Sequence, residues 1–391
     1  MRTAPAKIVL YANTDWYLYN FRRSLALALR QAGYDILLLS PPGPYGEKLR
    51  ELGLRWEPLP MDRRSLNPLR EFKLLWHLTR LFARERPSLV HSFTIKCAVY
   101  GSLAARFAGV PARINAVAGM GYVFTSDELK ARLLRPVVRL LLRGALGGKN
   151  ARLVLQNADD VSLFEQAGLA DRADIRLIRG SGVNCEQLAH RDSRESRQQG
   201  ASRVLLAARL LWDKGIAEYV EAARMLRAQG RSVQFLLAGT PDPGNPAAIP
   251  IETIRGWVTE GLVEWLGHVD DMPGLFATVD VVTLPSYREG LPKSLIEAAA
   301  CGLPLVATDV PGCREVITDG KDGLLVPVRD AVALAAAIAR LFDDKELAAR
   351  LGAAAREKAL AEFDERIVIE RTLAVYQELL GDSVQIQPRN L

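Results

Sequence analysis

Histidine and cysteine are scarce in this 391-residue chain, four of each. Cys97, Cys185, Cys301 and Cys313 are scattered, with no C-x-x-C pair and no histidine at metal-ligand spacing. That pattern excludes a disulfide framework and a zinc site of the usual local spacing. Long hydrophobic runs are also missing: no stretch of about 18 uncharged apolar residues occurs, as a membrane-spanning helix would need. The opening "MRTAPAKIVLYANTDWYLYN" has one short strand-like run and lacks the apolar core and cleavage site of an export signal. Low-complexity tracts are absent as well. These absences predict a globular protein in the reducing cytoplasm, neither exported by a standard signal nor membrane-spanning.

Charge is plentiful but unevenly placed. Residues 1–185 carry 28 Lys and Arg against 15 Asp and Glu, a net +13. Residues 186–391 carry 23 against 30, a net −7. A chain of this length exceeds what one core usually serves, and the asymmetry suggests two domains with different partners. The basic excess gathers in "RRSLNPLREFKLLWHLTRLFARERP" (63–87) and "LKARLLRPVVRLLLRGALGGKNAR" (129–152). Both read as amphipathic helices, either packed with solvated arginines or lying on an anionic membrane surface. No nucleic-acid-binding motif accompanies the charge.

Short apolar runs alternate with helical patterns throughout. "KIVLYA" (7–12), "YDILLLS" (34–40), "SLVHSF" (88–93), "RINAVAG" (113–119) and "ARLVLQ" (151–156) read as buried strands. So do "RVLLAA" (203–208), "VQFLLAG" (233–239), "VEWLGH" (263–268), "VDVVTLPS" (279–286), "LPLVATD" (303–309) and "GLLVPV" (323–328). Nearly continuous apolar strands separated by helices mean parallel sheets covered on both faces. The expected fold is α/β, with two Rossmann-like, doubly wound domains in tandem facing a cleft. The polar stretch "VNCEQLAHRDSRESRQQGAS" (183–202) marks the join, giving domains of 1–185 and 186–365. The tail, about 366–391, contributes one more amphipathic helix that packs back on the first domain.

Ligands of such sheets bind beyond the carboxyl ends of the strands. After "RVLLAA", Arg209 and Lys214 flank a turn and Gly215 opens a helix, a combination suited to a pyrophosphate. After "VDVVTLPS" comes "YREGLPKSLIEAAACG". Gly290 permits close backbone approach, Pro292 suits the first helical position and Gly302 the C-terminal stop. The amides near Leu291, Lys293 and Ser294 then point toward an anion. Glu297 sits in this otherwise apolar helix, eight residues after Glu289. A carboxylate there is harmless if it faces water; otherwise it needs a polar partner, for which vicinal sugar hydroxyls are suited.

The segment "PSYREGLPKSLIEAAACGLPLVATDVPGCREVITDGKDGLLVPVRD" resembles the nucleotide-sugar signature of the retaining family-4 glycosyltransferases of GT-B fold. "ARLLWDKGIAEYVEAARML", "LLAG" and "WLGHVDDM" (265–272) fall where that family places them. "NFRRSLALALRQAGYDI", "HSFTIKCAVYGSLAARFAGVPARINAVAGMGYVF" and "RGSGVN" extend the likeness to nearly the whole chain. The first half resembles the subgroup that extends polyprenyl-pyrophosphate-linked sugars in O-antigen, capsule and glycan assembly.

The resemblance implies that Arg209 and Lys214 hold the donor pyrophosphate and that Glu297 binds the ribose hydroxyls. It implies that Glu289 contacts the donor sugar, with Gly290, Leu291, Pro292, Lys293 and Ser294 completing the cradle. His268 and Val269, in the loop "GHVDD", would contact the base, and Gly239 would belong to the same donor site. Acceptor contacts would come from Asn13, Arg22, Lys96, Gly119 and Gly121. Many relatives carry His–Gly after the fourth strand, where this chain has Ala118–Gly119; His91 is the remaining histidine expected near the cleft and a candidate catalytic group.

The expected donor is UDP-linked, carrying a hexose or N-acetylhexosamine, and no metal or other cofactor is expected. Arg209, Lys214 and the helix start would stabilise the departing diphosphate. The acceptor would be an undecaprenyl-pyrophosphate-linked saccharide, which predicts a cytoplasmic enzyme held peripherally on the inner face of the membrane. The rival readings are a nucleotide-sugar epimerase, a phosphorylase, a transferase with a soluble acceptor and a two-domain binding protein.

Overall fold

A computed structural model describes residues 5–63, 65, 67–117, 129–188, 202–242 and 244–381. The chain divides into two units, Met1–Ser181 with Arg366–Leu391, and Gly182–Glu365.

The first unit holds a seven-stranded parallel sheet, β1 (Lys7–Tyr11), β2 (Asp35–Ser40), β3 (Arg55–Pro58), β4 (Leu89–Phe93), β5 (Ala112–Ala116), β6 (Ala151–Leu155) and β7 (Ile175–Leu177), in the order β3-β2-β1-β4-β5-β6-β7. The register sets Ile8 between Ile36 and Leu89. Alternate residues of β1 enter different cores. Ile8 and Leu10 join one face with Leu25 and Leu29, while Val9 and Tyr11 join the other with Leu78 and Phe82. Burial on both faces is what a continuous apolar strand requires.

The second unit holds a six-stranded parallel sheet, β8 (Ser202–Ala207), β9 (Val233–Ala238), β10 (Glu264–Gly267), β11 (Val281–Leu284), β12 (Leu305–Thr308) and β13 (Leu324–Val326), in the order β10-β9-β8-β11-β12-β13. Leu205 faces one core and Val204 with Leu206 the other.

All eleven apolar runs became strands. Two strands had no such run, β3 ("RWEP") and β7 ("IRL"), and both lie at sheet edges. An edge strand needs no continuous apolar stretch, because part of it faces solvent.

The basic segment 63–87 forms the helix Pro68–Glu85, started by Asn67, whose side chain accepts from the Leu69 amide at 3.0 Å. Segment 129–152 contains the helix Leu129–Leu146, with Pro136 inside it. The helix Glu365–Leu380 buries Val368, Ile369, Leu373 and Tyr376 in the same core as Ile8 and Leu10.

Candidate active site

The second unit assembles its polar residues where β8 and β11 end. After β8 the chain turns through Trp212–Lys214 to Gly215, whose φ of +68° only glycine adopts without strain. A Cβ on Gly215 would stand 2.0 Å from the Pro285 carbonyl oxygen, so the two loops lie backbone to backbone. The Tyr287 amide donates to the Asp213 carbonyl at 2.8 Å and ties them again.

This contact delivers Lys214 to Glu289. The ammonium lies 2.6 Å from Glu289 Oε1, and the Ser286 hydroxyl donates to the same oxygen at 2.6 Å. The two charged side chains are only 15% and 11% exposed. Ser286 is buried, and the Thr308 hydroxyl donates to its carbonyl. Tyr287 turns the other way: its hydroxyl donates to Glu218 at 2.7 Å, and the Arg329 guanidinium lies 4.6 Å over its ring. Burial and the Glu218 bond push its phenol up to about 12.

Arg209 stands apart from this cluster, 57% exposed and 3.1 Å from Asp242. A Cβ on Gly239, which follows β9 at φ +136°, would stand 1.9 Å from the Ala208 carbonyl oxygen. The Trp265 indole donates to the Gly239 carbonyl at 2.8 Å, and the Gly239 amide donates to Gly267 at 2.7 Å. The ends of β8, β9 and β10 are thereby drawn together. Beyond β10, His268 is exposed with Nε2 3.2 Å from Asp270, and Val269 packs partly into the core.

Pro292 does not occupy the first helical position. It is the cap, in extended conformation, and the helix runs Lys293–Ala300. As a cap Pro292 offers no side-chain acceptor to the first turn, which includes Ser294. Gly312 abuts the loop before it: a Cβ there would stand 2.6 Å from the carbonyl oxygens of both Glu289 and Gly290. Leu291 packs against the core beside it, and Gly302, at φ +69°, follows the helix end.

Glu297 does not point freely to water. Its side chain is 19% exposed and lies 3.4 Å from Lys293, one turn back. Burial raises its carboxyl above the usual range, and Lys293 offsets part of this. Lysine N-terminal to glutamate is the weaker order for such a pair, so the neutralisation is modest.

In the first unit, Asn13 lies in the loop leaving β1 and Arg22 ends the π-helical stretch Leu18–Arg22. His91 lies within β4, 2% exposed, with Nδ1 2.7 Å from the Tyr376 hydroxyl. Burial, and secondarily the Arg22 charge, hold its imidazole well below its usual pKa. Lys96 directs its ammonium to the carbonyls of Asp62 and Ser65 and to Glu71 at 2.8 Å, which engages its three donors. Gly119 and Gly121, with Ala118, lie outside the described residues. Among the described residues no group of three or more His, Cys, Asp or Glu side chains is placed to hold a metal ion.

Three contributors were not legible beforehand. Ser286 closes an apolar strand run, Asp242 lies in the loop after β9, and Tyr376 lies far along the chain from His91. Only folding shows what each touches.

Two family descriptions match the chain: "Glycosyl transferases group 1" over residues 201–344 and "Glycosyl transferase 4-like" over residues 7–150. The chain is 31% identical over 373 residues to the N,N'-diacetylbacillosaminyl-diphospho-undecaprenol α-1,3-N-acetylgalactosaminyltransferase of Campylobacter jejuni, covering 93% of this chain and 96% of that protein. It is 26% identical to the UDP-Gal:α-D-GlcNAc-diphosphoundecaprenol α-1,3-galactosyltransferase of Escherichia coli, over 80% of this chain and 81% of that one. Among solved structures, Anabaena HepE in complex with UDP and glucose superposes with a TM-score of 0.78 at 20% identity, covering 96% of this chain and all (100%) of that one.

Proposed function

We propose the following reaction for a chain that belongs to the retaining family-4 glycosyltransferases of GT-B fold. It moves a hexose or N-acetylhexosamine from a UDP-linked donor to a saccharide carried on a polyprenyl diphosphate, keeping the anomeric configuration. The Campylobacter and Escherichia relatives, whose names specify diphospho-undecaprenol acceptors, support the acceptor class.

The observation that carries the reading is the Lys214–Glu289–Ser286 cluster, at the carboxyl ends of β8 and β11. Without ligand, Glu289 is the counter-ion of Lys214. A donor diphosphate has the charge to take Lys214 and, with Arg209, to be neutralised as the leaving group departs. Release from Lys214 then leaves Glu289 free to accept from hydroxyls of the donor sugar. The helix start at Lys293, with the Gly290–Ser294 backbone, adds amide donors to the diphosphate. Glu297, held partly desolvated beside Lys293, accepts from the ribose hydroxyls, and Gly239, His268 and Val269 border the base. These charges stabilise the leaving diphosphate without a metal ion.

The acceptor's lipid places the enzyme on a membrane surface, on the cytoplasmic side where nucleotide sugars are found. Within the helix Pro68–Glu85, Leu69, Phe72 and Trp76 are 74%, 68% and 53% exposed at spacings of three and four, so they share one face. The Arg80 guanidinium lies 4.7 Å over the Trp76 ring. An apolar stripe beside cations is what an interfacial helix presents to anionic lipid. No helix among the described residues is long and apolar enough to cross a membrane.

Incubation with a panel of labelled UDP-sugars and a polyprenyl-diphosphate-linked saccharide tests the reaction. Label moving to the lipid fraction is the expected result. Donor isomerisation, or label moving only to soluble sugars, overturns it.

A further inference from the structure

The strand order of the first sheet reverses between β1 and β4: β2 and β3 extend to one side, β5 to β7 to the other. The carboxyl ends of β1 and β4 therefore flank a topological switch point, where open parallel sheets bind ligands. Arg22 stands there. It ends the π-helical stretch Leu18–Arg22 in the chain leaving β1, a rare local form that is frequent at functional sites. Its guanidinium lies 4.3 Å over the ring of Phe93, the last residue of β4. The next residue, Thr94, is held at φ +76°, a strained value for a β-branched residue.

Arg22 is 6% exposed, and one nitrogen donates to the Tyr17 hydroxyl at 3.1 Å. Among the described residues its buried Nε meets no partner, and neither does the buried Nε2 of His91. Among the described residues no aspartate or glutamate pairs with Arg22. Buried arginines are almost always paired, because desolvating an ion without a counter-charge is expensive. His91 does not supply that charge: its ring lies tilted against Phe93, centroids 4.2 Å apart, and bonds Tyr376 through Nδ1. A desolvated guanidinium with an open donor is thus held at the ligand edge of the sheet, without an anion among the described residues.

We propose that Arg22 is the receptor for an anionic group of the acceptor, a diphosphate or a carboxylate oxygen, at the switch point of the first sheet. The proposal rests on the acceptor reading above for the source of the anion, but anion binding can be measured without any transfer. Inorganic pyrophosphate is one probe and methyl glucuronide the other, each titrated with saturating UDP present to occupy the donor site. The variant is Arg22→Met, which keeps the aliphatic length and removes the unpaired charge.

The wild-type melting temperature should rise with at least one probe, and which probe does so identifies the diphosphate or the carboxylate as the source. Arg22→Met should lose that rise while melting, ligand-free, at or above the wild-type temperature, since it relieves a buried unpaired charge. A folded Arg22→Met that retains the response overturns the proposal, as does a wild type indifferent to both probes. Should Arg22→Met not fold, Arg22→Lys replaces it: loss of the guanidinium fork should weaken the responding probe's binding about tenfold or more, and unchanged affinity overturns the proposal. Pyrophosphate bound through Arg22 without transfer to any lipid acceptor would leave this site standing and refute the reaction instead.

Discussion

The Lys214 ammonium and the Glu289 carboxylate lie 2.6 Å apart, joined across two loops that leave different strands of one sheet. Neither loop could hold the pair alone. Gly215, pressed on the Pro285 carbonyl, sets the distance between the loops, and Ser286 orients the carboxylate. Each charge is thereby kept largely out of water without being left unpaired.

Lys214→Ala should lower turnover by about 100-fold or more, since it removes a contact that strengthens as the diphosphate leaves. Arg209→Ala should act in the same direction but less, because Arg209 is mostly exposed and its charge is better screened. Steady-state kinetics on both variants, with circular dichroism as a check of folding, measures this. Wild-type turnover in folded Lys214→Ala would remove Lys214 from the reaction.

The two glutamates should separate by what they cost. Glu297→Ala should chiefly weaken binding of UDP, because ribose contacts are alike in ground and transition states. Glu289→Ala should leave UDP affinity nearly intact and damage turnover. Calorimetry with UDP on both variants decides, and equal losses of affinity would end the division of roles.

Glu297 also predicts a pH dependence. Its carboxyl is raised by burial, so the folded state holds this proton more tightly than the unfolded chain. Its ionisation therefore subtracts from stability as pH rises through and above the ordinary carboxylate range, and costs nothing below it. Glu297→Gln should melt with the wild type at low pH and above it near pH 7, in the absence of ligand. A gap that closes as pH rises contradicts the assignment.

Gly215→Ala places a methyl against the Pro285 carbonyl at a positive φ. It should cost about 1–3 kcal/mol in urea unfolding and lower UDP affinity with it, since the same contact sets the Lys214–Glu289 pair. Loss of stability with unaltered UDP binding would show that the loop contact does not position the site.

On the first unit, replacing Leu69, Phe72 and Trp76 together by serine should release the protein from anionic liposomes. Binding of the wild type should weaken with salt, as charges exposed at a surface are screened over ~10 Å at 0.1 M. UDP binding should be unaffected. Co-sedimentation unchanged by both the variant and salt would assign membrane contact, if any, to another surface.

The sequence alone determined the strands of both sheets that are buried on two faces, because double burial demands unbroken apolar runs such as "KIVLY" and "RVLLA". It also determined which loops carry Arg209, Lys214, Glu289 and Glu297, since a strand, a loop and a capped helix follow one another locally. Edge strands β3 and β7 escaped it, because a strand that need not be buried leaves no such run. Pairings between distant segments were decided by tertiary structure alone. That Lys214 meets Glu289, that Tyr376 of the helix Glu365–Leu380 closes over His91, and that Arg22 is buried with no counter-charge among the described residues depend on residues brought together only by folding. A side chain's identity declares what it can bond to; burial and its neighbours, which no local pattern encodes, decide what it does bond to.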